Sequence, residues 1–137
     1  MTANDTPLQT LIRAALAARK NAYVPYSGYA VGAALRVTAS GRVFTGCNVE
    51  NASYPAAICG ERAALVSAIS EGVRNFDTIV VATQNGGSPC GICRQMMYEF
   101  APQLRVVCVD ETGTIIIDSP LHDLLPYGFG PNSLPQE

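Results

Sequence analysis

Two apolar runs constrain the fold of this chain more than any other feature: DTIVVAT at residues 77–83 and LRVVCV at 104–109. Such runs are typical of buried strands. Successive side chains of a strand point to opposite faces, so a run like IVVA is apolar on both of them. A sheet built from such strands has to be covered on each side, which predicts an α/β fold with helices on both faces.

The remaining periodicities supply the other elements. Residues 7–20 and 59–70 have helical spacing of their apolar side chains, and CRQMMYEFA is a third helical segment. Strands at about 30–37 and 43–49 flank the turn TASGR, and TIIID follows LRVVCV across DETG, so two hairpins are expected. With no linker, repeat or low-complexity segment, residues 1–137 are predicted to form one domain.

Composition and charge exclude several functional classes. The net charge is −2 and the nine Lys and Arg residues are scattered, so the chain lacks the basic stripe that a nucleic-acid binder needs. No apolar segment approaches the ~18 residues of a membrane span, and the N-terminus does not resemble a signal peptide. We therefore expect a cytoplasmic protein without nucleic-acid or membrane partners. The low charged fraction, 15%, favours burial of surface in an oligomer.

Five cysteines are present, and in a reducing compartment they are core residues, metal ligands or nucleophiles rather than disulfides. Cys47 ends a strand and Cys108 lies inside VVCV, so both are predicted to be core residues. Cys59, Cys90 and Cys93 lie instead where predicted helices begin. Two helix starts side by side would gather these three thiols, and both helix dipoles would favour the thiolate form that binds metal.

Each of these motifs also has a plainer interpretation. Cys59 could be a buried residue, with Glu61 helping to cap the helix, and a Cys-x-x-Cys pair alone is compatible with redox chemistry or accident. A zinc site explains both motifs together. Three protein ligands leave one position open for water, as in catalytic zinc sites. Glu61, two residues from a ligand, would then carry the proton of that water.

A wider resemblance supports the zinc interpretation. CGE at residues 59–61 and PCGIC at 89–93 match the signature of the zinc nucleobase deaminases in its three-cysteine variant. Over almost its whole length the chain resembles the small homotetrameric cytidine deaminases. The matching segments are YVPYSGYAVGAAL, GCNVENASY, CGERAAL, SPCGICRQ and LLPYGFGP. The resemblance implies a three-layer α/β/α fold with a mixed five-stranded sheet. It also implies zinc-dependent hydrolytic deamination of cytidine and 2′-deoxycytidine, a reaction of pyrimidine salvage.

The resemblance implies the residues of the metal side. One Zn²⁺ per chain would be held by Cys59, Cys90 and Cys93, because the only histidine, His122, lies outside the motif and is expected at the surface or near a helix end. Glu61 is the implied proton carrier, and Arg62 is the implied hydrogen-bond donor to the ligand sulfurs, unless it forms only a surface ion pair.

It also implies the substrate contacts. Asn48 and Glu50 alternate along the end of a strand and would hydrogen-bond the ribose hydroxyls. Tyr29 stands where the family usually has Phe, against the nucleoside, and Gly60 is a further contact. Phe129, between two glycines, would stack on the pyrimidine in a neighbouring subunit's site, with Tyr54 near the subunit boundary. A homotetramer with shared active sites follows.

Three alternatives remain open at this point. A blasticidin-type deaminase shares the zinc motif but resembles this chain less around NVEN and the tail. An enzyme that edits RNA or DNA would need a basic groove. A structural zinc module without activity is possible, but it leaves Glu61 and the missing fourth ligand unexplained.

Overall fold

The computed structural model describes residues 6–135, in which four α-helices surround a five-stranded sheet. The elements in chain order are α1 Pro7–Arg19, β1 Gly32–Val37, β2 Val43–Cys47, α2 Gly60–Ser70, β3 Phe76–Ala82, α3 Gly91–Phe100, β4 Arg105–Val109, β5 Ile115–Pro120 and α4 Leu121–Leu124. The strand order is β2-β1-β3-β4-β5. Only the β3–β4 pair is parallel, and the other neighbouring pairs are antiparallel. The predicted mixed five-stranded sheet and both hairpins are confirmed.

Register explains why the central strands are apolar on both faces. Ile79 lies opposite Leu35 on β1 and Val106 on β4, and all three side chains pack into the core beneath α2 and α3. The next row, with Val80 at its centre, packs beneath α1. Fully burying a Val or Leu side chain contributes about 1.5–3 kcal/mol. These two rows therefore hold the sheet between its helical layers, as the apolar runs predict.

The three long helices begin differently. Thr6 caps α1: its side chain accepts from the backbone N–H of Gln9, whose own side chain accepts from the Thr6 N–H. The residues before α2 and α3 are Cys59 and Cys90, and neither makes a capping hydrogen bond. The first N–H groups of a helix carry partial positive charge. The N-termini of α2 and α3, which no side chain caps, therefore bring partial positive charge close to the Cys59 and Cys90 thiols.

Some boundaries differ from the sequence-based predictions. The second strand ends at Cys47 rather than near residue 49, so Asn48 and Glu50 lie just beyond it, where only Val49 forms isolated bridges with Tyr23 and Ile58. The short helix α4 and the 3-10 turns Tyr54–Ala56 and Pro131–Ser133 were not predicted, because segments of three or four residues have no detectable period. The two ends of the predicted 1–137 domain lie outside the described residues.

None of the helices in residues 6–135 is both long and apolar enough to cross a lipid bilayer.

Candidate active site

The structure brings the three predicted ligand cysteines together. Cys59 immediately precedes α2, Cys90 immediately precedes α3, and Cys93 lies in the first turn of α3. The Cys90 sulfur is 3.8 Å from the Cys59 sulfur and 3.4 Å from the Cys93 sulfur, and all three lie within 4.8 Å of one another. Sulfurs that share one tetrahedral zinc, each about 2.3 Å from it, are about 3.8 Å apart. The spacing therefore fits a zinc ion.

The electrostatics of the cluster also fit a cation. Hydrogen bonds from Cys93 and Arg62 lower the pKa of the Cys59 thiol to about 5. The hydrogen bond with Cys59, together with burial, raises the pKa of Cys93. Adjacent thiolates repel one another, so the cluster resists full ionisation in the absence of a positive charge. A metal ion supplies that charge, and within residues 6–135 this is the group of thiol, imidazole and carboxylate side chains that could hold one.

Arg62 lies beside the cluster. Its Nη2 donates to the Cys59 sulfur at 3.8 Å and to the carbonyl of Ala57 at 3.1 Å. Its Nε is buried and has no hydrogen-bond partner among the described residues. The guanidinium is thus held against the thiols by the Ala57 carbonyl, where it partly offsets their negative charge.

Glu61 follows Cys59 by two residues and is 4% exposed. Burial raises the pKa of its carboxyl group, because a buried carboxylate loses its hydration. No other acidic residue among those described is buried. Its side chain contributes to the same cavity wall as Cys59 and Cys90. A proton-accepting group therefore faces the cavity next to the thiols.

The cavity has a volume of about 330 Å³, within the range typical of small-molecule sites. It lies at the carboxyl end of β3, where the loop to α3 leaves the sheet. Its lining residues are Ser27, Tyr29, Val31, Asn48, Glu50, Cys59, Glu61, Val81, Thr83, Gly87, Ser88 and Cys90. Predicted metal-side and sugar-side residues thus share one cavity.

Asn48 and Glu50 lie on the same side of the chain, as their alternation predicts. Asn48 accepts from the Val31 N–H and donates to the Tyr29 carbonyl, both at 2.9 Å. Glu50 accepts from the backbone N–H groups of Tyr26 and Ser27 at 3.0 and 3.1 Å, and from the Ser27 hydroxyl. The Ser27 hydroxyl lowers the pKa of Glu50. A carboxylate has about four acceptor positions, so Glu50 retains one for a ligand.

Sequence reasoning missed three polar residues of this wall, Ser27, Thr83 and Ser88. Ser27 fixes the Glu50 carboxylate, and its only signal was its place in the turn-forming segment PYSG. Thr83, the first residue after β3, is 2% exposed, and its hydroxyl accepts from the N–H groups of Gly86 and Gly87 at 2.8 and 3.0 Å. A threonine at the end of an apolar run carries no recognisable signal for this role.

Several other predicted residues lie elsewhere. Gly60 is buried in the first turn of α2, against Val31. Tyr54 is 72% exposed, and the edge-to-face contact with Tyr26 places it beside a second cavity that shares Glu50 with the first. Phe129 is 57% exposed and does not line the cavity of its own chain.

The residues predicted to be outside the site are also placed. His122 is exposed on α4, as predicted. Cys108 is buried in the core, where burial raises its pKa to about 12. Cys47 is only half-buried, because β2 is an edge strand, so its assignment to the core was wrong.

Comparisons with known proteins agree with this geometry. The family described as the cytidine and deoxycytidylate deaminase zinc-binding region matches residues 5–109. A probable cytidine deaminase from Dictyostelium discoideum is 42% identical over 96% of this chain and 89% of its own length. A crystal structure of cytidine deaminase from Burkholderia pseudomallei superposes with a TM-score of 0.83 at 47% identity, over 94% of this chain and all of that one.

A blasticidin-S deaminase from Bacillus cereus is more distant, at 30% identity over 74% of this chain and 78% of its own. The identity is higher and the coverage greater with the cytidine deaminases from Dictyostelium discoideum and Burkholderia pseudomallei. The chain belongs to the cytidine and deoxycytidylate deaminase family.

Proposed function

We propose that this chain is a hydrolase that converts cytidine and water to uridine and ammonia, with 2′-deoxycytidine as a second substrate. One observation carries the proposal: the buried Glu61 and two of the three clustered thiols, Cys59 and Cys90, line the same cavity as Glu50, a carboxylate suited to a sugar hydroxyl. The first set supplies hydrolytic chemistry and the second selects a nucleoside rather than a free base.

Cys59, Cys90 and Cys93 would hold one zinc ion per chain, with Arg62 balancing the charge of the sulfurs. When bound, zinc acts as a Lewis acid that lowers the pKa of a water molecule in the site. Glu61 accepts a proton from the water that attacks C4 of the pyrimidine and delivers a proton to N3. It then takes the proton of the new C4 hydroxyl and transfers it to the exocyclic amine, which leaves as ammonia while the C4 carbonyl forms. Burial next to the thiols suits Glu61 to this task, since little bulk water competes for its protons.

Glu50 and Asn48 would bind the sugar. Glu50 accepts a hydrogen bond from a ribose hydroxyl at its remaining acceptor position, while Ser27 and the backbone hold the carboxylate still. Asn48 has one N–H left for the ligand after it has bound the Tyr29 carbonyl. The Tyr29 ring would lie against the nucleoside, and the backbone around Gly60 would contact the base.

We further propose that residues 1–137 form one catalytic domain and that four such chains assemble in the cytoplasm, where the enzyme serves pyrimidine salvage. In that assembly Phe129 of a neighbouring chain stacks on the pyrimidine and Tyr54 lies near the subunit boundary. Support comes from the exposure of both side chains and from the low charged fraction of the sequence. The partners are then the nucleoside and other copies of this chain, without nucleic acid or membrane.

The alternatives explain less of the geometry. A structural zinc module has no use for a buried Glu61 facing an open cavity. The scattered basic residues and the net charge of −2 do not suit an editing enzyme that holds a polynucleotide. A blasticidin-type substrate carries no ribose 3′-hydroxyl for Glu50.

The test is a substrate panel on purified, zinc-loaded protein. Cytidine, deoxycytidine, cytosine and blasticidin S are incubated separately, and deamination is followed by ultraviolet absorbance. We expect turnover of both nucleosides and little of the free base, which lacks the sugar. Faster turnover of blasticidin S than of cytidine would favour the blasticidin alternative, and no turnover of any of them would favour a structural module.

A further inference from the structure

One hydrogen bond joins two separate segments of the cavity wall. The Tyr29 hydroxyl donates to the Asn85 side-chain oxygen at 2.6 Å. Tyr29 belongs to the loop that precedes β1, whereas Asn85 belongs to the loop between β3 and α3. The second loop continues through Gly87 and Ser88, which line the cavity, to Cys90. The bond therefore links the part of the cavity wall that carries Asn48 and Glu50, the sugar side, to the part that leads to Cys90, the thiol side.

On the sugar side, Tyr29 is tied to both proposed ribose contacts. Its backbone N–H donates to the Ser27 hydroxyl at 3.0 Å, and that hydroxyl donates to Glu50. Its carbonyl accepts from Asn48 at 2.9 Å. A shift of Tyr29 would thus change the positions of both the Glu50 and the Asn48 side chains.

On the thiol side, other backbone contacts hold the loop around Asn85 in place. Thr83 accepts from the N–H groups of Gly86 and Gly87, and the Asn85 backbone bridges to Asp110. A Cβ atom on Gly87 would lie 2.8 Å from the Tyr29 hydroxyl oxygen, closer than real Cβ contacts come. The missing side chain of Gly87 therefore leaves the space that the tyrosine hydroxyl occupies.

We propose that Tyr29, Asn85 and Gly87 form a clasp that sets the distance between the sugar-binding and thiol-bearing walls, so that the Tyr29 hydroxyl and Asn85 are positioning groups for the nucleoside. The proposal rests on the proposed function for its substrate. In the clasp, the hydroxyl of Tyr29 acts separately from its ring: the ring faces the ligand, and the hydroxyl fixes the wall.

Tyr29→Phe keeps the ring and removes the hydrogen bond. Losing a neutral hydrogen bond should raise KM for cytidine about 2- to 13-fold, while kcat changes by less than about 2-fold because Glu61 and the thiols are untouched. Zinc content and Tm should stay near those of the wild type. Tyr23→Phe is the matched control, since Tyr23 is exposed and does not line the cavity. An unchanged KM in Tyr29→Phe overturns the proposal.

Asn85→Ala completes a double-mutant cycle. If the bond is the clasp, Asn85→Ala raises KM as Tyr29→Phe does, and the double variant is no worse than the worse single variant. Additive effects would mean that the two residues act independently, and would overturn the proposal. Because the readout is the division between KM and kcat, a purely structural role, which lowers Tm at constant KM, gives a different result.

Gly87→Ala tests the clasp from the opposite direction. In the wild type the new methyl group displaces the Tyr29 hydroxyl and should raise KM. In the Tyr29→Phe background its nearest neighbours are the Asn85 side-chain oxygen at 3.5 Å and the Tyr29 Cζ position at 4.0 Å, both ordinary contacts. Gly87→Ala should then add no further loss. An equal loss in both backgrounds would contradict the clasp.

A measurement without turnover separates this proposal from the proposed function. In zinc-loaded protein without nucleoside, amide hydrogen exchange over residues 84–88 should be faster in Tyr29→Phe than in Tyr23→Phe. Equal exchange would overturn the clasp even if cytidine is the substrate. Wild-type protein that fails to deaminate any nucleoside would overturn the proposed function, and this exchange difference would still report on the clasp.

Discussion

The thiol side of the cavity and the C-terminal tail are organised in opposite ways. Cys59, Glu61, Cys90 and Cys93 are placed by the starts of two helices that pack on the core. The tail, residues 125–134, is irregular apart from the 3-10 turn Pro131–Ser133, and its aromatic side chains point outward: Tyr127 is fully exposed with a positive φ of 57°, and Phe129 is 57% exposed. The thiols and Glu61 are thus positioned by contacts within one chain, whereas the aromatic rings of the tail are exposed on their own chain and accessible to a neighbouring molecule.

The tail is nevertheless anchored. The Phe129 carbonyl accepts from the Gln95 side chain on α3 at 2.8 Å. Added Cβ atoms on Gly128 and Gly130 would lie 2.8 and 3.2 Å from the ring of Tyr98, so the tail backbone packs directly on that ring. Backbone contacts hold the tail in place without the Phe129 ring. This leaves the ring free for the neighbouring subunit, as we propose, rather than for pinning the tail to its own domain.

Removing a thiol should have the largest effect. Cys90→Ala deletes one of three proposed ligands, and two thiols should not retain zinc through purification. We expect zinc loss and activity near background, measured by metal analysis and by the absorbance assay. Cys47→Ala is the matched control on an edge strand and should keep its zinc. Full zinc retention in Cys90→Ala would contradict the assignment of Cys90 as a zinc ligand.

Glu61→Gln should separate chemistry from metal binding. Loss of a general acid–base group costs about 10²–10⁴-fold in rate, and a group that carries two protons should lie at the upper end. Zinc content and fold should be retained, because glutamine has the same size. Glu99→Gln, an exposed change on α3, serves as the control. Turnover of Glu61→Gln within about 10-fold of the wild type would exclude the proposed role.

Sequence patterns predicted the thiol side well because its signals are local. CGE and PCGIC each lie at a helix start, and the strand pairs needed only apolar runs and turns. The end of β2 and the bonds from Ser27 to Glu50 and from Tyr29 to Asn85 were not predictable in this way. The two hydrogen bonds join residues that are 23 and 56 positions apart in the chain, and the spacing of apolar residues does not indicate which loops come into contact.

Glu50→Ala should have a smaller and different effect, on binding. Losing a hydrogen bond to a charged group should raise KM for cytidine roughly 10- to 150-fold with little zinc loss. Part of the increase should come from release of the Tyr26–Ser27 segment, which Glu50 holds. Ser27→Ala removes the hydroxyl bonds to Glu50 and Tyr29 but leaves Glu50 and its two backbone N–H donors in place. It should therefore raise KM less than Glu50→Ala. Equal KM values for Glu50→Ala and the wild type would remove Glu50 from the sugar site.

Phe129→Ala should have the smallest effect and tests the contrast between thiol side and tail most directly. An aromatic contact contributes about 0.5–1.5 kcal/mol beyond its buried area, so KM should rise at least about 2-fold while zinc is retained. Tyr127→Ala is a control for general disturbance of the tail. The sharper experiment mixes Phe129→Ala chains with Glu61→Gln chains and assays them at low cytidine.

If Phe129 serves a neighbour, random exchange in an equal mixture of the two variants places an intact Glu61 with a neighbour's intact Phe129 in about a quarter of the sites. Activity per chain bearing an intact Glu61 should then exceed that of Phe129→Ala alone. If each site is complete within one chain, mixing only dilutes the Phe129→Ala enzyme, and activity per intact Glu61 stays constant. Native mass spectrometry verifies that subunits have exchanged. Constant activity after verified exchange would mean that the tail, like the thiol side, serves its own chain.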